Sequence, residues 1–90
     1  MRRLSHIIIR GRVQGVSFRA WAIREAESRG LDGWVRNRED GGVEMIFAGH
    51  SPAIDEIILA CRSGPDAALV TDVIELPTSD DPGLGFRIRS

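Results

Sequence analysis

The stretch HIIIRGRVQGVSFRAWAIREAESRGLDGWVRNR, His6 to Arg38, changes its periodicity twice. The isoleucines at 7, 8 and 9 make Arg3 to Arg10 a strand. GRVQGV, Gly11 to Val16, breaks that run with two glycines. From Phe18 to Arg29 the apolar residues Phe18, Ala22 and Ala26 recur every four positions with Arg and Glu between them, which is a helical period. Gly30 stands where a helix closes on a left-handed residue. GWVRNR, Gly33 to Arg38, returns to strand, so the stretch is a strand–helix–strand unit.

Outward from this unit, Asp40-Gly41-Gly42 predicts a tight turn and Val43 to Ala48 a third strand, with Val43, Met45 and Phe47 toward the core and Glu44, Ile46 and Ala48 away from it. Ser51-Pro52 reads as an N-cap with proline at the first helical position. Ile54, Ile57, Ile58 and Cys61 then share one helical face, and Gly64-Pro65 stops the helix. Ala68 to Leu76 is a fourth strand with imperfect alternation, Thr78 to Gly85 a polar loop, and Phe86 to Ile88 a short last strand. The order β-α-β-β-α-β plus a terminal strand is α+β: a ferredoxin-like split βαβ sandwich with two helices on one face of a mostly antiparallel sheet.

Ninety residues make one domain, 1–90, with room for a modest core, and 42% apolar content suits a folded chain. The net charge of −1 and the low aromatic content of 6% argue against a nucleic-acid partner. Every basic residue is Arg, which removes lysine Schiff-base chemistry. Cys61 is alone, so no intramolecular disulfide forms. No apolar run has signal or membrane-span length, and the expected location is a reducing cytoplasm with no membrane partner.

The GRVQGV turn carries the chemistry. A glycine-containing loop between a strand and a helix aims several backbone N–H groups at one point, where the helix adds partial positive charge. Arg19 lies in the first helical turn, and its guanidinium can fork two hydrogen bonds onto a phosphate or carboxylate. The plain alternative is an ordinary strand-to-helix turn with a solvent-facing Arg. The loop lacks the GK[ST] ending of a nucleotide-binding P-loop. Strand alternation puts Val35 and Asn37 on one face and Trp34, Arg36 and Arg38 on the other; if Val35 faces the helices, Asn37 does too, and Arg38 on the opposite face reads as solvated. A carboxamide at 37 can orient a water, or can serve the following turn by bonding its own backbone.

The motifs GRVQGVSFR, Gly11 to Arg19, and GWVRNREDGGVE, Gly33 to Glu44, resemble the two motifs of the acylphosphatase family. Gly64-Pro65 with Ala67 and Val70, and the terminal Phe86, extend the resemblance over nearly the whole chain. It implies a hydrolase that cleaves a small-molecule acyl phosphate to a carboxylate and inorganic phosphate, as a monomer, without metal or cofactor. By position, Arg19 is similar to the family's phosphate-binding Arg and Asn37 to the residue that orients the attacking water. The amides of Gln14, Gly15, Val16, Ser17, Phe18 and Arg19 would form the phosphate cradle. The family often has Thr three residues after the motif Arg, where this chain has Ala22. A pure phosphate-binding module and a ferredoxin-like nucleic-acid or interaction domain are the competing classes.

Other reactive residues receive plainer readings. Cys61 belongs to an apolar helical face and reads as core. His6 and His50 stand outside any metal-spaced cluster. Ser79-Asp80-Asp81, between prolines, reads as a solvated loop.

Overall fold

The computed structural model describes residues 2–90. The chain runs β1 (Arg2–Arg12), α1 (Phe18–Ser28), β2 (Asp32–Asn37), β3 (Val43–His50), α2 (Ser51–Cys61), β4 (Leu69–Leu76) and β5 (Phe86–Ile88). The sheet order is β4-β1-β3-β2-β5. The β1/β3, β1/β4 and β2/β3 ladders are antiparallel and β2/β5 is parallel. Strands β1 and β2 are therefore parallel with β3 slotted between them, the split βαβ arrangement expected from the sequence.

Both helices cover one face of this sheet. Ile7, Ile9 and Val13 from β1 and its exit meet Phe18, Ala22 and Ala26 of α1, Val35 of β2, and Val43, Met45 and Phe47 of β3. Helix α2 adds Ile54, Ile57 and Cys61, while Ile58 packs at the margin. Burial pushes the Cys61 thiol up to about 12, so it is a packing group and not a nucleophile. Gly33 sits mid-strand at φ +145°, where a Cβ would lie 1.8 Å from the Ile46 carbonyl oxygen. The glycine of the second motif is thus needed for the close approach of β2 and β3.

Several boundaries differ from the expectation. Strand β1 runs on through Arg12, with a bulge against β4 at Arg10/Gly11. Helix α2 begins at Ser51 itself, with the extended His50 as N-cap and no side-chain cap, so Ser51 is not the capping residue. The face of β3 carrying Glu44, Ile46 and Ala48 is buried as well. Ile46 and Trp34 form the floor of a cavity shared with residues 79–82, and the guanidinium of Arg89 lies 4.7 Å from the Trp34 ring centre. The 78–85 loop is likewise more than a solvated connection. Arg2 donates to both oxygens of Asp81, to the Gly83 carbonyl and to Asp32, which in turn accepts from the Gly85 amide.

These ties predict acid sensitivity. Arg2 holds Asp81 and Asp32 below the ordinary aspartate value of 3.8. The Ser5 hydroxyl, joined by Arg3, holds Glu75 below 4.5. A carboxyl depressed in the folded state contributes stability that is fully present above its ordinary value and is lost as pH falls through the folded value. Melting temperature is therefore expected to be flat from neutrality to about pH 5 and to fall progressively below the 4.5–3.8 range. A melting temperature unchanged between pH 6 and about pH 3 would contradict this.

Candidate active site

The chain leaves the sheet at Val13, which is buried, and turns through two left-handed residues before α1. Gly15 has φ +71° and Ser17 has φ +63°. Ser17 is the sole non-glycine with positive φ among the described residues, and it caps α1 without a side-chain hydrogen bond. Holding a β-carbon in that region costs on the order of 1 kcal/mol. The result is a curled backbone whose first helical hydrogen bond is donated by Trp21 to the Ser17 carbonyl. Among the described residues, the amides of residues 15–20 donate to no protein acceptor. They are a run of unpaired donors at the positive end of a helix.

Arg19 projects from that first turn. It is exposed and pairs with no carboxylate among the described residues. A cation at a helix N-terminus is locally unfavourable, and no acidic residue occupies the first turn to offset it. Across the opening stands Asn37, the last residue of β2, half-buried. Arg19 and Asn37 line one open cleft of about 380 Å³. Gly15, Ser17 and Phe18 line it from the loop, and Val13, Ala20 and Ile88 complete its wall. Asn37 is not the turn-making side chain. That role falls to Asp40, whose Oδ1 accepts the Gly42 amide at 3.0 Å while its carboxylate also takes Arg38 Nε. The Gly42 amide and then Arg38 keep the Asp40 carboxyl below its ordinary value.

The remaining expected cradle residues contribute differently. The side chain of Val16 packs against the core. The Gln14 carboxamide turns away from the cleft, donating to the carbonyls of Arg38 at 2.7 Å and Gly42 at 2.8 Å. Ala22, at the family's frequent Thr position, is fully buried between α1 and the sheet.

A charged network on the opposite sheet face was not foreseen. Glu44 accepts Arg36 at 2.6 and 2.7 Å on one oxygen and His6 on the other, with Arg38 at 3.5 Å. Arg38 is therefore ion-paired and not simply solvated. Burial alone would raise the Glu44 carboxyl, but hydrogen bonds from His6 and Arg36 outweigh it and hold it below its ordinary value. The signal was present in the strand register, which sets Arg36 directly opposite Glu44.

The acylphosphatase family model matches residues 5–88, nearly the whole chain and both motif segments. The chain belongs to the acylphosphatase family. An acylphosphatase of Acidiphilium cryptum is 53% identical over 85 residues, spanning 94% of this chain and 93% of that one. The crystal structure of acylphosphatase from Bacillus subtilis superposes with a TM-score of 0.91 at 37% identity, covering 100% of both chains. An acylphosphatase from Coxiella burnetii gives a TM-score of 0.93 at 32% identity, over 98% of this chain and 93% of that one. The acylphosphatase relatives therefore share the architecture on which the cleft is built. Among the described residues, no group of three or more His, Cys, Asp or Glu side chains could hold a metal ion. No helix among them is long and apolar enough to cross a membrane.

Proposed function

We propose that this protein hydrolyses the carboxyl–phosphate bond of small acyl phosphates by direct attack of water on phosphorus. The observation that carries the reading is the convergence, on one cleft, of unpartnered loop amides, Arg19 and Asn37. The phosphoryl oxygens sit in the nest of amides from residues 14–19, and Arg19 forks onto two of them. The side-chain oxygen of Asn37 accepts a hydrogen bond from the attacking water and its nitrogen donates one, which aims the water oxygen at phosphorus. The new bond forms between that oxygen and phosphorus. The bond from phosphorus to the acyl oxygen breaks, and its electron pair leaves on the carboxylate. One water proton stays on the phosphate product and the other passes to phosphate or solvent.

Positioning and charge stabilisation are what phosphoryl transfer asks of a protein. A carboxylate is a good leaving group, so the step proceeds without a general acid, in keeping with a cleft whose lining contains no His, Asp or Glu. The reading includes a monomer acting in the cytoplasm with neither metal nor cofactor. The purified protein is expected to hydrolyse benzoyl phosphate at an unchanged rate in excess chelator, with inorganic phosphate as a competitive inhibitor. Loss of turnover on chelation, restored by a divalent cation, would exclude metal independence.

A further inference from the structure

The proposed reaction needs the phosphate cradle and Asn37 held at a fixed separation, yet the two lie on different parts of the fold. The cradle follows β1, and Asn37 ends β2. The β1/β3 ladder that could connect them stops at the Ile9–Val43 pair, before the loop begins. Beyond it, one side chain makes every hydrogen bond between residues 13–20 and residues 37–43 among the described residues. That side chain is Gln14, and its nitrogen donates to the Arg38 and Gly42 carbonyls. Both neighbours are acceptors, so the amide orientation is fixed, with each N–H engaged.

The far end of this bridge is rigid. Arg38 donates its amide to the Gly42 carbonyl, Gly41 donates to the Arg38 carbonyl, and Asp40 closes the turn through the Gly42 amide. From the opposite face, Glu44 pins Arg36 and Arg38, the residues on either side of Asn37. Gln14 thus fastens the cradle to the peptide one residue beyond Asn37.

We infer that Gln14 is a positioning residue: its carboxamide sets the distance between the phosphate cradle and Asn37, and so aligns the attacking water without touching the substrate. The inference rests on the proposed hydrolysis. It separates Gln14 from Arg19, because a brace governs alignment of the water and leaves the phosphate donors in place. A misplacement of about 1 Å is enough to cost on the order of a hundredfold in rate.

The sequence makes the test unusually clean. Gln14 and Asn37 are the chain's one Gln and one Asn, so the side-chain amide region of a nitrogen–proton spectrum holds two carboxamide pairs. Gln14→Met keeps the side-chain length and removes both donors. Wild type and variant are compared for benzoyl phosphate turnover, inorganic phosphate affinity and the Asn37 amide signals. The expected result is a kcat lower by about tenfold to a hundredfold, with phosphate affinity within about threefold of wild type. The Asn37 pair should move in position and lose its wild-type response to phosphate. If Gln14→Met does not fold, Gln14→Asn, too short to span both carbonyls, replaces it.

In wild type, the Gln14 amide protons should exchange slowly with water, and rapid exchange of both would overturn the bridge. Unchanged kcat with an unchanged Asn37 pair would overturn the inference while the hydrolytic reading stood. A phosphate affinity that falls in step with kcat would give the Gln14 carboxamide a part in holding phosphate and also overturn it. A wild-type protein that turns nothing over would sink the hydrolytic reading and this inference with it.

Discussion

Asn37→Ala should abolish most turnover while inorganic phosphate still binds. Asn37 sits opposite the loop and contributes no charge to the cleft, so its removal leaves the amide nest and Arg19 intact. What disappears is the group that orients the water. Loss of a preorganised polar group of this kind costs about 10²–10³ in kcat. The fold should survive, because the Asn37 side chain makes no hydrogen bond to a described residue and the turn is built by Asp40. Steady-state kinetics with benzoyl phosphate, paired with phosphate titration by calorimetry, separate the two effects. A variant with full activity would remove Asn37 from the mechanism, and one that no longer binds phosphate would move it into the cradle.

Arg19→Ala should fail differently, through the phosphate. A charged hydrogen bond contributes about 1.5–3 kcal/mol, and two from one guanidinium give about 3–6 kcal/mol. At 1.4 kcal/mol per tenfold, kcat/KM is expected to fall by about 10²–10⁴ and phosphate affinity to fall with it. Arg19→Lys keeps the charge but loses the fork, so it should recover only part of this loss. Stability should move the other way. Arg19 places a cation against the helix dipole with no acidic partner, and removing it should stabilise the fold by about 0.3–1 kcal/mol. A variant both less active and more stable would mark Arg19 as kept for the ligand. Unchanged phosphate affinity would count against the assignment.

The elements that set the fold were legible because their signals are local. Phe18, Ala22 and Ala26 mark the buried side of α1, and the same three residues are the buried ones of that helix. The Asp40-Gly41-Gly42 signal located the hairpin, and Gly30 took the left-handed conformation expected after α1. Boundaries slipped where tertiary contacts decide them. Pairing with β4 extends β1 through Arg12, and pairing with β1 carries β3 on to His50.

In the site, alternation alone put Val35 and Asn37 on one face, and the structure places Val35 in the core and Asn37 in the cleft. Long-range polar contacts were not legible in this way. Gln14 read only as a backbone amide of the cradle, because nothing local shows that a side chain at 14 reaches carbonyls at 38 and 42. Asp81 read as solvent-facing because its partner, Arg2, lies at the other end of the chain.

The central claim is that water attacks phosphorus in a cradle built from Arg19, Asn37 and the loop amides. Hydrolysis of benzoyl phosphate in oxygen-18 water, with excess chelator present, tests it most directly. Attack on phosphorus places the label in inorganic phosphate and leaves the benzoate unlabelled, and this is the predicted result. Label in the benzoate would mean attack on the carbonyl carbon, and no turnover at all would reduce the cleft to a phosphate-binding site.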